Sequence, residues 1–209
     1  MRLAFPPALA PAYVTLGRLV SLVGSGTTGK PLVNRQTAEM LALSGALDVL
    51  IAARQGDEVP SWDAVVADER GRLLVDARAV DVLRELPWVD SADIIEPVFN
   101  VRVLPGRVDD GDNGRPFLGW HARMTDEEAW SAVTRWWQKP REDMSGRPFI
   151  ATVAGLCVFV GRIREVTSRY GLAEFDVDSD DAELVDTWLF RRVRTPPGGN
   201  TAILRPMGD

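Results

Sequence analysis

The sequence predicts an α+β protein: a small α+β unit over residues 1–104, then a strand-rich unit over residues 117–209. Three observations carry this. Residues 34–56 follow a helical period, residues 149–204 break into short apolar runs divided by glycine turns, and PGRVDDGDNGRP at 105–116 reads as a loop or linker between them. With 209 residues, 45% hydrophobic and 26% charged, the chain is long enough for a buried core and its composition is not that of a disordered protein.

Taken in order, YVTLGRLVSLV at 13–23 reads as an apolar strand leading into the glycine-rich turn Gly24–Lys30. Asn34 suits an N-cap. Met40, Leu43, Leu47, Leu50 and Ile51 then recur on one face up to Gly56, predicting one long helix. Ala64–Ala67 and Leu73–Val75 flank Asp68-Glu69-Arg70-Gly71, a hairpin closed by a type I turn. Asp76 is placed to cap a short helix carrying Val80 and Leu83, stopped by Pro87. Residues 93–104 look extended, with Pro97 at an edge or bulge.

In the second half, Thr125 and Glu128 spell a capping box, and Ala129, Val133, Trp136 and Trp137 continue at helical spacing to Pro140. Phe149–Val153, Leu156–Val166 and Leu172–Val177 read as strands. Asp180 with Glu183 opens a short helix, and Trp188–Val193 and Ala202–Leu204 flank the connector TPPGGN. This succession suggests a curled sheet or small barrel.

Thirty acids against 24 bases give a net charge of −6, which excludes a protein that binds nucleic acid over its whole surface. Lys30 and Lys139 are the only lysines, a bias that fits GC-rich codon usage and also suits bidentate contacts to phosphate or carboxylate. No run is long enough for a membrane helix. Pro6, Pro7 and Pro11 break the apolar N-terminal stretch, so a signal peptide is not expected and the cytoplasm is the expected location. The lone Cys157 lies in an apolar strand, as a buried, unreactive thiol would.

Gly24–Lys30 matches the first seven positions of a phosphate-binding loop, but Pro31 replaces the hydroxyl residue that would hold magnesium; a turn leading into a helix is the simpler reading. Neither Asp109–Gly114 nor Asp176, Asp178 and Asp180 fits a calcium loop, because Trp120 stands where the first frame needs glutamate and Asp181 where the second needs glycine. His121 is the only histidine, and no nucleophile or zinc motif is present. No catalytic residue, metal or cofactor is expected.

The one positive signal is aromatic. Four of the seven tryptophans fall between Trp120 and Trp137, Arg162 and Arg164 lie in a predicted strand, and Trp188 precedes Arg191, Arg192 and Arg194. From Tyr170 through Phe190 there are seven acids and no base. Indole faces for stacking and guanidinium groups for phosphate are what a single-strand or flipped-base reader needs. MTDEEAWSAVTRWW followed by FIATVAGLCVFVGRIREV resembles a module of bacterial proteins in the PUA-like barrels, the group with the EVE and ASCH domains. Trp136, Trp137, Gly161, Arg162 and Ile163 are the matching positions, over the last ninety residues or so. The resemblance implies a small barrel that binds RNA or modified DNA bases.

The first expectation is therefore a non-catalytic module that binds nucleic acid or a nucleotide through Trp120, Trp136, Trp137, Arg162, Arg164, Arg191, Arg192 and Arg194, gathered in one recess. A second is a protein-interaction or regulatory subunit, including a homodimer, anchored by the same tryptophans. A third is a nucleotide hydrolase using Lys30.

Overall fold

The computed structural model describes residues 13–25, 32–109, 115–196 and 198–206, and the fold is α+β. The chain divides into two compact units, Met1–Glu85 and Leu86–Asp209. The division falls ahead of the 105–116 linker because residues 98–103 form a strand inside the second unit's sheet.

In the first unit, strand β1 (Tyr13–Thr15) runs into helix α1 (Leu16–Val23). The expected strand at 13–23 is thus mostly helix. Thr15 accepts from the Arg18 amide as N-cap, and Leu16, Leu19 and Val23 fall on one buried face. The expected long helix is two, α2 (Arg35–Leu43) and α3 (Ala46–Gln55), bent by 80° at Ser44-Gly45. Gly45 takes φ +73°, a conformation that breaks a helix and suits glycine. The predicted ends hold: Asn34 accepts from the Thr37 amide, and Gly56 closes α3 in the left-handed region.

Strands β2 (Val65–Ala67) and β3 (Leu73–Asp76) form the predicted hairpin, with β1 on the other side of β3. Asp76 accepts from the Arg78 amide ahead of α4 (Ala79–Glu85). Buried Asp48 accepts from the Ala64 amide at 2.9 Å and so ties α3 to the hairpin. No single helix among the described residues is long and apolar enough to cross a membrane.

The second unit is built on a curled six-stranded sheet. Its strands are β4 (Val98–Val103), β7 (Arg135–Gln138), β8 (Pro148–Val153), β9 (Leu156–Arg169), β10 (Leu172–Asp178) and β11 (Thr201–Leu204), in the order β11-β4-β8-β9-β10-β7. Only β4 and β8 run parallel, which makes the sheet mixed. Pro97 precedes β4 rather than sitting within it, and β4 is an interior strand. Phe99, Phe149 and Phe175 pack at centroid distances of 4.7–6.1 Å. A second cluster joins Ile150, Cys157, Leu184 and Trp188, so the central strands are covered on both faces. Trp188 closes helix α6 (Ala182–Trp188), capped by Asp181 rather than Asp180, and of the two segments flanking the connector only the second, in β11, is a strand.

The chain between β4 and β8 carries a small hairpin, β5 (Arg107–Val108) with β6 (Phe117–Leu118), and helix α5 (Asp126–Thr134). The Thr125–Glu128 capping box forms as predicted. The helix stops before the tryptophans, however, and Trp136 and Trp137 belong to β7.

Candidate ligand-binding site

The eight expected site residues do not share a recess. Arg162 is held by Glu96 at 3.1 Å, by Asp181 at 3.0 Å and by the Gly146 carbonyl at 2.8 Å. Arg164 pairs with Asp178 at 2.6 Å, an ion pair that holds the Asp178 carboxyl below its usual range. Gly161, the other distinctive member of the GRI triplet, is constrained by packing: a Cβ there would collide with the Val177 side chain and the Asp178 carbonyl. The GRI motif is thus engaged in the fold of the sheet.

Arg192 is buried, and loss of solvent lowers its pKa; its guanidinium and that of Arg194 each lie 5.4 Å from the Trp88 ring centroid. Arg191 is half-buried and lines neither tryptophan-bearing cavity described below. Trp120 is 6% exposed and lines a cavity of about 420 Å³. Of the three expected tryptophans, only Trp136 and Trp137 stay together, in a separate cavity of about 250 Å³.

That smaller cavity gathers arginines from separate strands: Arg102 at the end of β4, Arg107 on β5, Arg115 ahead of β6 and Arg135 opening β7. None of its described lining residues is Asp or Glu. Two of the four arginines have acidic partners outside the lining, Arg115 with Asp109 at 3.3 Å and Arg135 with Glu174 at 2.7 Å. Arg102 donates to the carbonyls of Pro196 and Gly198, while its Nε is buried with no acceptor among the described residues. Arg107 is exposed, with no ion-pair partner among them. In a chain of net charge −6, this concentrates positive charge.

Trp136 is displaced from the ladder by a β-bulge. Ala173 of β10 pairs with Trp137 and Glu174 with Arg135, so Trp136 is the extra residue. Its φ of +63° is left-handed, a strained state for a bulky side chain. Its indole Nε1 is buried without an acceptor among the described residues, whereas Trp137 Nε1 donates to the Val133 carbonyl at 2.6 Å. Arg169 lies 5.8 Å from the Trp136 ring centroid. A buried N–H without an acceptor costs about 1–3 kcal/mol.

Gly119 fixes the neighbouring hairpin. At φ +78° its missing Cβ would occupy the position of the Leu104 carbonyl, which also accepts from the Trp120 amide at 3.0 Å.

The phosphate-loop match at Gly24–Lys30 lies largely outside the described residues, and the element directly before it is helix α1 rather than the strand that motif requires. Burial pushes the Cys157 thiol well above its usual range, which disfavours a nucleophilic role. No group of three or more His, Cys, Asp or Glu side chains among the described residues is placed to hold a metal ion. Compared with known proteins, the chain matches no family model, no curated protein and no solved structure.

Proposed function

We propose that the second unit is a non-catalytic binding module that takes a nucleotide or short single-stranded nucleic acid in the Trp136 cleft. The indoles supply faces for a base, and Arg102, Arg107, Arg115 and Arg135 supply donors for phosphate. The observation that carries the reading is the bulged, left-handed Trp136, whose buried N–H has no acceptor among the described residues, beside an arginine-rich wall free of described carboxylates. A PUA-like relationship remains part of this proposal, with the cleft rather than the GRI strand as its reading surface.

Fluorescence-anisotropy titration of mixed-sequence RNA and DNA octamers against the full chain, at stepped salt, tests it. Saturable binding that weakens steeply as salt rises is expected, because each phosphate contact releases counterions. No binding at low salt refutes the reading.

A second reading, a homodimer or protein-interaction subunit, is favoured by the β9–β10 hairpin tip, where Tyr170 is 87% and Leu172 40% exposed. Trp188 cannot be its anchor, being part of the core. Light scattering on the parent and on Tyr170→Ser separates the readings; a monomer unaltered by the change excludes the tip as a dimer contact.

A further inference from the structure

Independently of the Trp136 cleft, the geometry points to a second site, for a small organic cation, in the 420 Å³ cavity bordered by α5 and α6. Its walls carry Trp120, Trp130, Phe159 and Phe190. Aromatic faces hold negative quadrupole charge and attract ammonium groups, most strongly where water is excluded. Its size suits a ring or branched alkyl group attached to that ammonium.

The polar part of the lining has the matching sign. Asp126 and Asp180 contribute carboxylates, neither in an ion pair with a described residue, and no Arg or Lys is among the described lining residues. The acidic stretch from Tyr170 to Phe190 supplies Ser179, Asp180 and Val185 to this wall, so the polarised run in the sequence borders the cavity. An anionic ligand would meet two carboxylates; the one basic side chain in the described lining is His121, and Arg135 lies outside the lining, 5.4 Å from the Trp130 ring centroid.

The backbone at this wall is unusual in its own right. Phe190 adopts φ +54°, fixed by its amide donating to the Cys157 carbonyl at 2.9 Å and by the Arg191 amide donating to the Trp188 carbonyl at 3.2 Å. A left-handed phenylalanine costs conformational energy, and here its ring lines the cavity. Trp130 is fixed by its Nε1 donating to the Val177 carbonyl at 3.2 Å and by the Arg135 guanidinium 5.4 Å from its ring centroid, which occupies one face and leaves the other for the cavity. The cage is therefore built before a ligand arrives.

Calorimetric titration of the full chain with benzyltrimethylammonium, benzyl alcohol and benzylphosphonate tests the assignment, since the three probes share a ring and differ in charge. The cation is expected to bind about tenfold or more tighter than either other probe. Exposed Asp180→Asn, which leaves the aromatic walls intact, should weaken the cation several-fold and leave benzyl alcohol unchanged. Trp136→Gly should leave cation binding unaltered, which separates this site from the anion cleft. Benzyl alcohol binding as tightly as the cation, benzylphosphonate binding more tightly, or no saturable binding of the cation overturns the proposal.

Discussion

Two tryptophan-bearing cavities of the second unit share helix α5 as a wall and differ in the charge of their linings. The smaller holds Trp136 and Trp137 with four arginines and no described carboxylate; the larger holds Trp120 and Trp130 with Asp126 and Asp180 and no described lysine or arginine. In the sequence these four tryptophans form one cluster. In the fold, the end of α5 at Thr134 and the bulge at Trp136 divide them between two environments. Closeness along the chain counted aromatic rings correctly, but the polar residues that decide what each ring would bind come from strands far apart in sequence.

The largest expected effect removes the distinction altogether. In Gly119→Ala the new methyl meets the Leu104 carbonyl at a left-handed position, and the β5–β6 hairpin that lines the smaller cavity must shift. A loss on the order of 3 kcal/mol, read by urea denaturation, is expected. A variant as stable as the parent would show that the hairpin does not make this close approach.

Next comes Trp136→Gly, which removes the indole while giving the left-handed position the residue that tolerates it best. Octamer affinity should fall by about tenfold or more, as losing one stacked base costs roughly 1–3 kcal/mol. A folded variant that retains parental affinity would mean that Trp136 only fills space.

Smaller still is the contrast between two arginines. Arg107→Ala should weaken octamer binding a few-fold and reduce the slope of log affinity against log salt by about one contact's worth. Arg164→Ala, which breaks the Asp178 pair away from the cleft, should leave both unchanged. Equal effects from the two would erase the difference between cleft and sheet arginines. The smallest effect is chemical. Cys157, buried and with its thiol pKa raised by burial, should resist iodoacetamide at neutral pH in the folded chain and react once unfolded, as mass spectrometry can show.

Much of the local structure was legible. The caps at Asn34 and Thr125, the hairpin around Asp68–Gly71 and the strands β8 to β10 followed from side-chain chemistry that acts within a few residues. The failures have physical causes. At 13–23 β-branched residues suggested a strand, yet Thr15 as cap and the i, i+3, i+7 spacing of Leu16, Leu19 and Val23 favoured a helix. The periodicity through Leu43 and Leu47 hid the break because Gly45 turns the chain without losing the apolar pattern. The bulge at Trp136 depends on pairing with β10, which begins at Leu172.

The candidate site divided in the same way. Trp136 and Trp137 were visible as stacking candidates, though at the helical spacing of a capped helix rather than in strand β7. Arg102, Arg107 and Arg115 were not, because they reach the cleft from β4, β5 and the approach to β6, and only the sheet and hairpin bring them together. The arginines nearest in pattern, Arg162 and Arg164, face acids supplied from Glu96, Asp178 and Asp181.

The indole N–H resonances of the tryptophans test the central claim most directly. On titration with a single-stranded RNA octamer, the Trp136 Nε1–H signal should move strongly as it gains an acceptor. Those of Trp130 and Trp137, already bonded to the Val177 and Val133 carbonyls, should move little. A Trp136 signal that stays in place while the octamer binds, or shifts confined to Trp130, would contradict the account.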